Sequence, residues 1–517
     1  MRKLLILMCM AAPITLFAQK KKEKDTSNLL VQPNRVEFEL KKIQQEFTII
    51  NGGYDGLLVL EETYKKVDGK YTWYLTKLDT ALQEQWKKSL FINVNGRLIG
   101  YEYFGGKYYL LLTASQYRMQ DLLVYEIDEN ANVNEFEITT VFPIRMEYFE
   151  VIGETLILAG NVNSKPAIIT YNVNEKKPKV LPGFYESRNQ LMDIVIDDDE
   201  EMFTVIVREK LISRQYTIRA KTFTSEGLMV QDLFITPGEK KNLIDGASTT
   251  FDNGIQLVAG AHSKRSTSYS KGLYLSKFVN GRQQFIRYHN FADLENFFGY
   301  LNDKREQRIK ARIKRRKDLG KNSKFNYRLL IHEMQELDNG VNLMVAEAYY
   351  PRYSSSGGLN SPYAYGYYGR GTPTTFMGYK FTHAIVVAFN NNGEIVWDHS
   401  FKIKDVQTYN LDKLVSVGSF GEETVLMYLD ENEIRSKIVR QNEVVEGKTY
   451  NPVKLTDETE EIRSKNSVDE DLDHWYEECF YASGIQNLSK PGNLGFKNTR
   501  EVFYINKIQY HSEGLVN

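Results

Sequence analysis

Gly53-Tyr54-Asp55-Gly56-Leu57-Leu58-Val59-Leu60 is followed by Tyr74-Leu75-Thr76-Lys77-Leu78-Asp79 and then by Gln85-Trp86. A glycine turn opens an apolar strand, a second strand follows, and a tight turn leads into a third. The pattern returns at Gly105–Leu112, Gly153–Gly160, Asp252–Gly260, Asp338–Val345 and Phe420–Met427, and more weakly at Glu201–Val207 and Glu477–Gly484. Ile385-Val386-Val387-Ala388-Phe389-Asn390 leading to Val396-Trp397 repeats the second part, with Asn390 to Trp397 spaced as Asp79 is to Trp86. The turns there and at Asn280-Gly281 carry Asn-Gly, whose positive φ suits a two-residue turn between twisted strands. Counting the units gives about eight of roughly 50 residues each, the period of four-stranded propeller blades.

The expected fold is therefore all-β: a single β-propeller of about eight four-stranded blades, seven being the alternative, with one basic helical insertion. A ring of blades must close, because an open one leaves two sheet edges unpaired. The last unit, ending Arg500–Ile508, runs out of chain before a fourth strand. A strand near Val36–Leu40 is predicted to supply it.

The "strand, Asp or Asn, Gly turn, Trp" blade resembles secreted bacterial β-propeller repeat proteins, in particular the quinoprotein-like eight-bladed group. Trp86 and Trp397 stand at the docking position, whereas Trp73 and Trp475 do not. The likeness implies shape and a scaffold role such as outer-membrane assembly; the cofactor and Ca²⁺ ligands of quinoprotein enzymes are not matched, and no cofactor is expected.

The chain opens Met1-Arg2-Lys3, runs through apolar Leu4–Phe17 and reaches Ala18-Gln19 before Lys20–Lys24, the order of a secretory signal peptide. Residues 1–18 read as that peptide, 19–35 as a polar leader and 36–517 as the propeller. This points to an exported protein, periplasmic, outer-membrane-associated or extracellular, with no transmembrane segment. Cys9 would leave with the signal peptide, so Cys479 would be alone and burial, not a disulfide, must hold the fold. Tyr (34) and Phe (27) supply core and favour strands. Lys+Arg 66 against Asp+Glu 67 leaves a net charge of −1, so any electrostatic partner must be met locally.

The repeat breaks twice, and departures from a repeated scaffold usually carry specificity. Residues 293–322 read as a basic helix: Leu294, Phe298, Leu301, Ile309 and Ile313 share a helical face, Asp293 is placed to cap it, and cations crowd its C-terminal half. Arg308, Arg312, Arg315 and Arg316 are its candidate contacts with an envelope protein or anionic surface; nucleic acid is not an expected partner of an exported chain. Residues 351–380 read as a Tyr/Gly/Ser-rich recognition loop with Tyr353, Tyr363, Tyr365, Tyr367 and Tyr368 as contacts, suited to protein or to the faces of a glycan. Two strands separate the insertions, which places both at one end of the blade.

The remaining polar clusters give weaker signals. Asp128–Asn132 has Val133 where a calcium loop needs Gly, and reads as a hairpin turn. Asp197–Glu201 and Asp469–Asp473 read as solvated turns between strands. The seven histidines show no metal-binding pair, although His332, His383, Glu333 and Glu347 flank the interrupted blade and could meet in space. No nucleophile elbow or phosphate loop occurs, and no catalytic or metal-ligating residue is assigned. The leading expectation is a non-catalytic interaction scaffold. The alternative is a carbohydrate-binding or glycan-cleaving propeller working at the central mouth, where carboxylates from different blades would converge unseen by spacing.

Overall fold

A computed structural model describes residues 26–41, 45–115, 120–251, 253–265, 268–337, 340–355, 374–463, 468–491 and 497–512. The chain is 63% strand and 4% helix, arranged as eight four-stranded blades in a ring, eight rather than seven. Blade 1 is built on the inner strand Gln45–Asn51, and the inner strands of blades 2 to 8 are Arg97–Phe104, Arg145–Ile152, Asn189–Asp197, Asn242–Ser248, Arg328–Glu336, Ser416–Phe420 and Val468–Tyr476. The opening strand of the sequence repeat, Leu57–Thr63 in blade 1, is the second of each blade. It reads as a continuous apolar run because both its faces lie against neighbouring blades, and Leu57, Leu58, Val59 and Leu60 are all at most 1% exposed.

Arg35–Glu39 pairs antiparallel with Lys497–Tyr510, in the register Arg35 opposite Asn506 through Glu39 opposite Val502. The N-terminal strand thus closes the ring, as the missing fourth strand of the last unit requires. Arg35 anchors the seam. Its guanidinium meets Glu37 at 2.7 Å, donates to Asn506 and Gln486 at 2.8 Å, and lies 4.5 Å over the Tyr504 ring. Arg500 adds ion pairs to Glu37 at 2.7 Å and Glu460 at 2.6 Å.

Neighbouring blades are locked by an outer-strand side chain that donates to a carbonyl in the next blade's outer turn. Trp86 does this to Glu129 at 2.8 Å, Lys179 to Glu226 and Gly227 at 3.0 Å, His289 to Gly393 at 2.9 Å and His399 to Gln441 at 2.8 Å. One structural role is filled by three residue types. That is why a Trp-based signature finds only part of the repeat.

The basic helix, α1, spans Asp303–Asp318, ten residues later than the apolar spacing from Asp293 suggested. Asn302, not Asp293, is its N-cap, its side chain accepting from the Arg305 amide at 3.0 Å. Asp293 instead accepts from the backbone and side-chain amides of Asn290 at 3.0 Å. The preceding segment turns inward because Phe291, Leu294, Phe297 and Phe298 are buried in the core between blades 5 and 6, too apolar all round for a rim helix. Asp398 of blade 6 fastens it by accepting from the Glu295 and Asn296 amides at 2.7 and 2.8 Å.

The second break is not a loop throughout. Asn342–Ser355 and Thr374–Phe389 remain paired as an extended hairpin, with Tyr353 opposite Phe376 and Ser355 opposite Thr374. A third chain segment, Gln407–Thr408, pairs alongside at Tyr379 and Lys380. β-rich Tyr350, Tyr353, Phe376 and Tyr379 carry the ladder outward past the blade. Tyr363, Tyr365, Tyr367 and Tyr368 lie outside the described residues, as do 1–25.

Candidate functional site

Each blade is an antiparallel meander. The connector into a blade and the one between its second and third strands therefore open at one end, here called upper, and the other two turns at the lower end. Both insertions leave blade 6 at the upper end, since Arg328, just after α1, pairs with Tyr349 at the base of the hairpin. The hairpin stands up from that end. The helix is laid outward along the rim toward blade 7.

On α1, Ile309 and Ile313 are half-buried against the core and hold the helix down, while Arg308, Arg312 and Arg315 are exposed. The one ion pair of the helix among the described residues is Lys310 with Glu306 at 2.8 Å. Arg316 differs from its neighbours: it is half-buried and donates to the Asn322 carbonyl at 3.0 Å, closing the helix C-terminus. Lys437 and Lys448 of blade 7 extend the cationic patch; burial, and then Lys448, pull Lys437 down to about 8. On the hairpin, Tyr353 is 59% exposed and packs edge-on to Phe376, which meets Tyr379 at 5.0 Å. Met377, at 39%, joins this apolar patch.

Charge is segregated beyond blade 6. Upper connectors of blades 4 and 5 carry Arg188, Arg214, Lys240, Lys241, Lys264 and Lys271, whereas lower turns carry Asp198–Glu201, Glu226, Glu422, Glu477 and Glu478. Lys176 is the only cation on a described lower turn. A net charge of −1 thus conceals opposite ends of opposite sign.

The central channel is where the alternative reading expected carboxylates to converge, though the sequence did not say which. Glu102, Glu150, Asp193, Asp245, Glu333, Asp471 and Asp473 stand on six different inner strands. Five of those strands carry a bulge at the equivalent place, between Leu98 and Gly100, Met146 and Tyr148, Leu191 and Asp193, Leu243 and Asp245, and Ile331 and Met334. Blade 8 has one between Val468 and Asp471. A bulge re-aims the side chains that follow it, which brings these carboxylates together. Asp469–Asp473 is accordingly not a solvated turn but part of a channel-lining strand. Burial, followed by Glu102, Asp193 and Glu333, pushes Glu150 up to about 8; burial also lifts Asp245 to about 7 and Asp193 and Asp473 to about 6. Lys413 is the cation among them and pairs with Glu333. A cavity of about 440 Å³ opens here, lined by Glu150, Glu333, Glu336 and Thr249 among others. Among the described residues no group of three or more His, Cys, Asp and Glu side chains could hold a metal ion.

The histidines divide. His332 meets Glu347 at 2.9 Å, and the same carboxylate oxygen accepts from the Leu414 and Val415 amides at 2.8 Å, stitching blade 6 to the connector into blade 7. His383 stacks on Tyr300 at 3.7 Å, and burial drives it down to about 3, so it is a neutral core ring. Glu333 belongs to the channel. Asp128 accepts from the Asn130 and Asn132 amides at 2.9 and 2.7 Å, closing the hairpin turn expected there.

No family model and no curated protein matches this chain. Solved structures do. A prolyl endopeptidase is similar at 10% identity and TM-score 0.37, over 80% of this chain and 50% of that one. The β-propeller domain of the Trilobed protease from Pyrococcus furiosus is similar at 9% identity and TM-score 0.35, over 78% and 97%. The polysaccharide lyase Uly1 is similar at 8% identity and TM-score 0.39, over 92% and 100%. The chain spans half the length of the endopeptidase structure. Likenesses of this size carry nothing about activity.

Proposed function

We propose that this protein is an exported β-propeller that serves as an interaction scaffold at the cell envelope, periplasmic or outer-membrane-associated. It engages an anionic protein surface through α1 and the blade 6 hairpin. The observation that carries this reading is the pair of insertions at one end of one blade: Arg308, Arg312 and Arg315 exposed without a carboxylate partner among the described residues, and Tyr353 exposed on a rigid, strand-paired stalk. Exposed cations steer association, and rigid aromatic anchors supply contact area at low entropic cost. Export is read from the signal-peptide pattern of residues 1–18. The test is co-purification from solubilised envelopes: a partner retained by the full chain is expected to be lost when 356–373 is deleted or Arg308, Arg312 and Arg315 are changed to Glu.

A second reading, a glycan-cleaving propeller with its site at the mouth, is favoured by one observation. Glu150, held protonated near neutrality beside Glu102, is the kind of unequal carboxylate pair that general-acid chemistry requires. Glycan hydrolysis abolished by Glu150→Gln would favour it over the scaffold reading.

A further inference from the structure

A second cavity, of about 580 Å³, opens at the upper end of blade 4, away from both the insertions and the channel. Arg188, Arg208, Lys210 and Arg214 line it, and no carboxylate does. Arg208 is the fixed member. Its guanidinium donates to the Ile244 carbonyl of blade 5 at 2.8 Å and to Gln190, leaving Nε buried without a hydrogen-bond partner. Lys210 sits directly across the ladder from Tyr216, and both cations lie over that ring, at 5.6 and 5.5 Å. The carboxylate that acts on Arg208, Asp245, stands on the channel-lining strand of blade 5, and its burial raises it to about 7, so it offsets the cluster only in part at neutral pH. Arg188, Lys210 and Arg214 are exposed at the cavity, and among the described residues none of the three has an ion pair within the protein, so the cavity presents positive charge to an entering anion.

We infer that this cavity binds a sugar-sized ligand bearing an oxyanion, carboxylate or phosphate. Guanidinium groups match both oxyanions bidentately. Ser187, Gln190 and Tyr216 add polar side chains to the lining. The volume exceeds what a bare ion fills and falls in the range of small-molecule sites.

Isothermal titration of the full mature chain tests this with digalacturonate, glucose 6-phosphate and neutral galactobiose. At least one of the two acids is expected to bind, with galactobiose at least tenfold weaker, and which acid binds identifies the oxyanion. Arg208→Gln should weaken binding at least tenfold. Because Arg208 also bridges two blades, the double variant Arg188→Gln/Arg214→Gln, at exposed positions, is the control that keeps the fold; it too should weaken binding at least tenfold with an unchanged melting temperature. Absence of binding by both acids, equal binding of galactobiose, or full affinity in the double variant would overturn the inference.

Discussion

The closing seam of blade 8 and the outer insertions of blade 6 are both rich in arginine, yet they use it oppositely. At the seam Arg35 and Arg500 are spent within the protein: each meets a carboxylate, and the Arg35 side chain is 6% exposed. On α1 Arg308, Arg312 and Arg315 meet water, with one lysine–glutamate pair for the whole helix among the described residues. Buried, satisfied charge fixes a unique pairing, here the register that closes the ring, and is costly to disrupt. Exposed, unsatisfied charge adds little to stability and remains available to a partner. The same residue type therefore marks architecture in one place and function in the other.

That contrast can be broken, and removing the seam should give the largest effect. Deleting the chain through Leu40 is expected to lower the melting temperature sharply, because the third strand of blade 8 loses its whole outer partner; an unchanged thermal unfolding curve would refute closure by this strand. Arg35→Ala, which leaves Asn506 and Gln486 without their guanidinium donor while Arg500 still pairs Glu37, should cost about 1–3 kcal/mol in denaturant unfolding.

The channel gives an intermediate effect with a definite sign. Glu150, Asp245, Asp193 and Asp473 have folded values of about 8, 7, 6 and 6, above their ordinary values of 4.5 for Glu and 3.8 for Asp. The native chain thus holds more protons than the unfolded one between those limits, so their contribution is fully present below pH 4 and is lost as pH rises through 6 to 8. At the acid end Glu37 works the other way: burial alone would raise it, but Arg35, Arg500 and Thr456 together outweigh burial and hold it down, so its contribution is lost as pH falls below its ordinary 4.5. The buried His262, His383 and His399, which burial holds down to about 3, 3 and 4, also oppose the channel carboxylates by losing stability as pH falls below their ordinary 6.5. The decline in melting temperature is therefore expected from pH 6.5 to pH 8, and Glu150→Gln should flatten it. A profile unchanged by the substitution would remove Glu150 from the account.

The smallest effect on stability belongs to α1. Changing Arg308, Arg312 and Arg315 to Glu should move unfolding by no more than about 0.5 kcal/mol per site. A large loss of stability would place these arginines with the seam rather than opposite it.

Much of this architecture was legible in the sequence. Gly-led apolar runs such as Leu57–Leu60 and Leu110–Leu112 repeat because every second strand is sandwiched between blades, and hydrophobic burial leaves a local, countable trace. The closing strand was legible for the same reason: the last unit lacks one, and edges must be paired. The boundary of α1 was not. Leu294, Leu301 and Ile309 have helical spacing, but the first two are recruited into core built by blades 5 and 6, and tertiary burial overrode the local pattern. The channel carboxylates were invisible because Glu102, Glu150, Asp193 and Asp245 are one blade apart in sequence and meet only when the ring closes. Their one local signal, a bulge, shows in pairing rather than in residue type. The blade locks stayed hidden behind chemical variety, Trp86, Lys179, His289 and His399 all donating to an equivalent carbonyl.

The most direct test of the central claim compares two arginine sets in one co-purification from solubilised envelopes at low and high salt. Arg308→Glu/Arg312→Glu/Arg315→Glu is predicted to keep the wild-type melting temperature and lose a partner that wild type retains at low salt and releases at high salt. Retention of that partner by the triple variant, in the same amount and with the same salt dependence, would contradict the account.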